Sequence, residues 1–271
     1  GLALARSVGF NEVIQILQLQ DAYASALKSG IAADKHLFEA AALDTSSHMS
    51  PLIFWAHLFE GIAAFYRGDL KRASHCLKQA ELWECTTPAH IHVAELHFYA
   101  ALVKRMGDTG CTDDEHSSAI ATYATQNEGT FGNKLALIGA EEARSRGDVI
   151  GALRLYETSI KLARGAELSH ELALAHERTG RLCIEVGLFF AGVEHIRQAS
   201  VYYRRWGADY LVERLETEFG ELLSYAVEKH VTGNRAPKAG KVDALTTDLV
   251  IAAIKYSGAM RGQLISVDGG E

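Results

Sequence analysis

The chain has 271 residues, 48% hydrophobic and 23% charged, enough apolar material for a continuous globular core. Its 27 Lys and Arg against 34 Asp and Glu leave a net charge of −7, which argues against nucleic acid or an anionic membrane as a partner. With 3 prolines and 4 cysteines (Cys76, Cys85, Cys111, Cys183), the expectation is a helix-rich cytoplasmic chain without a disulfide framework.

In chain order, apolar periodicity predicts paired helices over 11–29 and 32–43, 51–67 and 69–84, 88–106 and 114–126, 130–146 and 148–164, then 168–186 and 188–206. A further helix over 208–229 is expected to cap the series. The opening LALARSVG reads as the end of a helix closed by Gly9, so the chain is expected to be a piece of something longer. After Lys229 the composition changes. HVTGNRAPKAGK has no apolar periodicity and reads as a linker. LTTDLVIAAIKYSGAM beyond it reads as one more helix, capped by Thr247. The expected organisation is a helical-repeat domain over 1–229, a linker over 230–243 and a linker helix within 244–271. No run approaches the roughly 20 apolar residues of a membrane span.

The breaks between helices recur. Gly30, Gly68, Gly107, Gly147 and Gly187 are spaced by 38, 39, 40 and 40 residues. Twelve residues after each stand Ala42, Ala80, Ala119, Ser159 and Ala199, and seven before four of them stand Gly61, Ala100, Ala140 and Gly180. Small side chains there let two helices of a hairpin approach closely. The fold expected is therefore all-α, an α-solenoid of tetratricopeptide-like (TPR-like) hairpins with a period of about 40 residues.

Three segments carry a resemblance beyond periodicity: TPAHIHVAELHFYAAL from Thr87, ALRLYETSIKLAR from Ala152 and ASVYYRRWGADYLVERLE from Ala199. They resemble the helical-repeat region of large multi-domain signalling kinases. In that family a Ser/Thr-kinase-like domain and an AAA-type ATP-binding domain precede the repeats, and a GAF sensor and a histidine kinase follow. The tail TTDLVIAAIKYSGAM is similar to the family's linker helix toward the GAF domain, whereas QLISVDGGE carries none of the GAF core.

Catalytic motifs are incomplete. LSHEL around His170 mimics a histidine-kinase phospho-acceptor box but lacks its Arg and Pro, so His170 is read as part of an ordinary helix. GNRAPKAGKV resembles a phosphate loop, with Arg235 and Val242 where Gly and Ser or Thr are needed. Cys85, His90, His92 and His97 lack the spacing of a zinc site, since residues five apart on a helix face different ways. No cofactor and no enzymatic activity are expected of this chain. Glu141-Glu142, Lys71-Arg72 and Arg204-Arg205 read as solvated helix surface.

The function expected is a non-catalytic regulatory and protein-interaction solenoid, whose partner is a protein or peptide, including neighbouring domains of the same chain. As the resemblance implies, it couples an ATP-binding module to a sensor and histidine kinase. The alternative is a superhelical sensor that binds a small-molecule inducer. In TPR-like stacks the first helix of each hairpin lines the inner face. That spacing selects Trp55, Leu58, Ile62 and Phe65, then Ala94, His97, Ala101 and Lys104, then Lys134, Leu137, Glu141 and Arg144, then Leu174, Glu177, Arg181 and Ile184. Partner-binding candidates are His97, Lys104, Lys134, Glu141, Arg144, Glu177 and Arg181. Of these, Lys104, Glu141, Arg144, Glu177 and Arg181 are expected to stay solvent-accessible, so that reversing Arg144 and Arg181 together leaves the thermal midpoint nearly unchanged.

Overall fold

The computed structural model describes residues 1–30, 50–88, 90–107 and 115–232. Among the described residues every regular element is helical: α1 Leu2–Val8, α2 Asn11–Ser29, α3 Ser50–Arg67, α4 Leu70–Glu81, α5 Ile91–Gly107, α6 Glu115–Gln126, α7 Glu128–Ser145, α8 Val149–Gly165, α9 Ser169–Glu185, α10 Phe189–Trp206 and α11 Asp209–Thr232. The helix expected over 32–43, Ala42, Cys111, the phosphate-loop look-alike, and the linker and tail helix beyond 232 lie outside the described residues. The last described helix runs three residues past the expected domain limit at 229.

Turn chemistry explains why the helices break where they do. Gly68 and Gly147 both sit in the left-handed region, at φ 83° and 77°, which glycine occupies without a Cβ penalty. In each turn the two N–H groups after the helix fold back onto its last carbonyls, for example Gly68 onto Phe65 at 2.9 Å and Asp69 onto Ala64 at 3.0 Å. The aspartate that follows caps the next helix. Asp69 accepts the Arg72 N–H at 3.0 Å, and Asp148 accepts the Gly151 N–H at 2.9 Å.

Left-handed residues stand at Gly147, Glu167, Gly187 and Gly207. The helix expected over 148–164 includes Gly165, and its turn is made two residues later by Glu167 at φ 56°. The same two backbone bonds form there, Glu167 to Arg164 at 3.2 Å and Leu168 to Ala163 at 3.0 Å. Only the side chain is wrong for the conformation. Glu167 is exposed, so Glu167→Gly should stabilise the protein by about 1 kcal/mol, seen as a raised thermal midpoint at unchanged helical content. Another boundary moves for a similar local reason. The helix expected over 69–84 ends at Glu81, and a 3-10 turn follows over Glu84–Thr86.

Consecutive helices pack as antiparallel hairpins, most tightly α3 with α4, α7 with α8 and α9 with α10. Their first helices also touch in succession: α2 with α3, α3 with α5, α5 with α7 and α7 with α9. The last helix then returns to the beginning, because α11 packs against α2. Between them runs one apolar core, with Tyr66, Tyr99, Tyr156 and Tyr203 among its largest buried side chains.

Candidate functional site

The inner faces of the first helices carry a repeated set of ion pairs. Lys134 pairs with Glu171, Glu141 with Arg178, Glu177 with Arg214, and Arg181 with Glu218, each 37 residues apart. Arg105 and Glu142, at 3.5 Å, repeat the same offset. Thirty-seven is the 40-residue spacing of the last glycines less about one helical turn. A charge on one first helix thus meets its partner one turn earlier on the next.

Each buried carboxylate is fully engaged. Arg178 donates to Glu141 from Nε at 2.6 Å and Nη2 at 2.8 Å, and the Tyr156 hydroxyl adds a third bond at 2.6 Å. Glu177 accepts from Arg214 at 2.6 and 2.7 Å, from Arg181 at 3.0 Å and from the Tyr203 hydroxyl at 2.7 Å. Burial alone would raise the Glu177 carboxyl, but Arg214, Arg181 and the tyrosine outweigh it and hold the pKa at about 2. Glu171 also stands at about 2, where the His170 hydrogen bond and the Lys134 ammonium outweigh burial. Lys134 further pairs with Glu95 at 3.1 Å and lies 5.0 Å from the centre of the Phe98 ring.

The expectation that the inward charges stay solvent-accessible is corrected here. Lys134, Glu141 and Glu177 are 2%, 3% and 4% exposed. Arg144, which pairs with Glu185, is half-buried, as are Arg181, Lys104 and His97. Glu141 therefore does not belong to solvated surface, because the guanidinium 37 residues on supplies the charge that permits its burial. Phe65 is buried against Tyr66 and Tyr99, and Trp55 packs beside His90 and His92. The spacing argument did not find Glu95, Glu171, Arg178, Arg214 or Glu218. A signal for the last four was present, since each stands 37 residues from a charge of opposite sign on the inner face.

Closure completes the site. Arg214 of α11 donates to the Tyr66 carbonyl of α3 at 2.5 Å while holding Glu177 of α9. Trp206 lies 5.6 Å from the Tyr66 ring and 5.3 Å from His170, which is the surrounding of the phospho-acceptor look-alike. A cavity of about 280 Å³ remains between α3, α9 and α11, walled by Phe65, Tyr66 and Leu174 and by the Glu177 network.

Two histidine pairs join the two helices of a hairpin in matching positions, one between α5 and α6 and one between α9 and α10. The Nδ1 atoms of His97 and His116 are 2.9 Å apart, and those of His176 and His195 are 3.0 Å apart. Among the described residues no group of three or more His, Cys, Asp or Glu could hold a metal ion. His92 lies beside His90 and Phe59, away from the His97 pair. Burial, the neighbouring His195 and Arg164 together lower the His176 pKa to about 4. The folded state thus keeps His176 neutral while the unfolded chain protonates it near pH 6.5, so stability is lost as pH falls from 6.5 toward 4. Between pH 7.5 and 5 this should remove about 2 kcal/mol. Urea midpoints should show that loss in the parent chain and a smaller one in His176→Gln.

None of the described helices is long and apolar enough to cross a membrane. No protein-family description and no curated protein matches the chain.

Proposed function

We propose that the chain is a non-catalytic, TPR-like α-solenoid with a period of about 40 residues, serving as a regulatory and protein-interaction segment of a multi-domain cytoplasmic signalling kinase. In this reading it joins an upstream ATP-binding module to a downstream sensor and histidine kinase. The observation that carries it is the recurrence of ion pairs 37 residues apart along successive first helices. Such a stack is held by nearest-neighbour contacts. Fixing the helices from α5 through α7 and α9 to α11 by multiply bonded charges makes displacement at one end of that series move the other, which is what coupling two modules needs. The kinase setting rests on the sequence resemblance alone.

The test is the reading frame that encodes the chain, followed by assay of its product. Kinase and ATP-binding motifs before the repeats and histidine-kinase motifs after them are expected, with autophosphorylation that responds to alteration of the repeats. The isolated chain should neither hydrolyse ATP nor take up phosphate at His170. A frame without those motifs would contradict the kinase setting, and phosphate on His170 would contradict the non-catalytic reading. The second reading, a receptor for a small-molecule effector, draws on a groove of about 590 Å³ between α4 and α5, lined by Leu77, Ala100, Val103 and Lys104.

A further inference from the structure

His97 stands midway along α5, and His116, 19 positions later, is the second residue of α6 on the facing side of the hairpin. Their Nδ1 atoms are 2.9 Å apart and their ring centres 5.2 Å apart. Behind each ring stands a carboxylate. Glu81, the last residue of α4, lies 3.0 Å from Nε2 of His116, and Glu84 of the 3-10 turn lies 3.5 Å from Nε2 of His97. A negative charge beside one ring nitrogen favours the tautomer that carries its proton there, which makes the other nitrogen a lone-pair donor. Both Nδ1 atoms are set as donors in this way, and they face each other.

Histidines that ligate a metal commonly present their other nitrogen to a carboxylate, which fixes the tautomer and raises the basicity of the ligating atom. Two such units meet here. Bonds of about 2.0–2.1 Å from two imidazoles to one tetrahedral ion hold the nitrogens about 3.3 Å apart, so turning the rings and opening the pair by about half an ångström admits the ion. The two carboxylates offset the charge of a dication. The imidazoles are 12% and 19% exposed, and both His116 and Glu81 line the groove between α4 and α5, from which water completes the coordination.

The matching pair between α9 and α10 lacks this backing. Nε2 of His176 is buried without a hydrogen-bond partner, and Glu157 stands 4.0 Å from Nε2 of His195. A plain bond from the His176 Nδ1–H to His195 satisfies that pair. Nor does packing in a hairpin call for imidazoles at these places. Forty residues on from His97 and His116 stand Leu137 and Tyr156.

We propose that His97 and His116 hold a divalent late transition-metal ion, zinc or copper in kind, through both Nδ1 atoms, with Glu81 and Glu84 facing the Nε2 protons. Imidazole suits these ions. With two protein ligands the site is open and its ion exchangeable, unlike a closed structural zinc site with four. Bound metal ties α5 to α6. The site goes beyond the interaction reading above and is independent of the kinase setting.

Zinc titration of the full chain, first stripped of metal by a chelator, tests it. Calorimetry should show a saturable equivalent that is lost in His97→Gln and in His116→Gln and kept in His176→Gln. Glu81→Gln should weaken it by about 10–100-fold, and copper(II) should bind the same site more tightly than zinc. Helical circular dichroism checks that each variant folds. Should a histidine substitution unfold the chain, the copper(II) electron paramagnetic resonance of the parent decides, with coupling to two imidazole nitrogens expected and coupling to fewer counting against the site. A pair that shares only a proton gives no saturable equivalent. That result, an equivalent that survives either substitution at His97 or His116, its loss in His176→Gln, or undiminished affinity in Glu81→Gln would overturn the proposal.

Discussion

Glu177→Gln should cost about 3–5 kcal/mol of stability, the range for removing one partner of a buried ion pair. Glutamine preserves the shape and one acceptor but removes the charge that Arg214, Arg181 and Tyr203 all address. Arg181 keeps Glu218. Arg214 is left with a neutral amide and the Tyr66 carbonyl, so the uncompensated guanidinium is drawn toward water and α11 is loosened from α3. The measurement is the urea midpoint, accompanied by a change in Trp206 emission, since that ring packs on Tyr66 and His170. The same geometry reverses an expectation drawn from spacing. Because Arg181 bonds Glu177 and Glu218, and Arg144 pairs with Glu185, reversing both arginines should lower the thermal midpoint.

Gly180→Leu should destabilise by about 3 kcal/mol through overpacking. A Cβ on Gly180 would stand 2.8 Å from Cδ1 of Ile196 and 3.0 Å from the Gly192 carbonyl oxygen. The isoleucine tip can swing aside, but the carbonyl belongs to the backbone of α10 and moves only with the helix. Gly180→Ala should also destabilise, although alanine is the better helix former by about 1 kcal/mol. Gly220 supplies the control, because nothing lies within 4 Å of the place its Cβ would take. Gly220→Ala should therefore stabilise by up to about 1 kcal/mol. Thermal midpoints of the three variants separate close helix crossing from plain propensity.

Helix positions were legible because two local signals coincided: apolar periodicity and the recurring glycine breaks. Thus 51–67 became Ser50–Arg67 and 148–164 became Val149–Gly165. The small residues at Gly61 and Gly180 were readable for the same reason, since both meet the partner helix, at Leu77 and Ile196. Glu167 was not legible. A left-handed glutamate carries no residue-type signal, and only the conformation of the neighbouring turns reveals it. The fate of the inward charges needed the third dimension. Lys134 or Glu141 taken alone reads as surface; paired with Glu171 or Arg178 on the next first helix, each can be buried. Closure was further out of reach, because the contact of α11 with α2 sums small rotations over every hairpin.

The central claim is that the inward charges bind this chain to itself, hairpin to hairpin and end to beginning. A double-mutant cycle on Glu177 and Arg214 addresses it most directly, because that pair joins α9 to α11 and, through Tyr66, to α3. Unfolding free energies would be measured for the parent, Glu177→Gln, Arg214→Met and the double variant. The account predicts a coupling of at least about 1.5 kcal/mol, as for residues sharing one buried network. Additivity within about 0.5 kcal/mol would contradict it and leave those charges free for a partner.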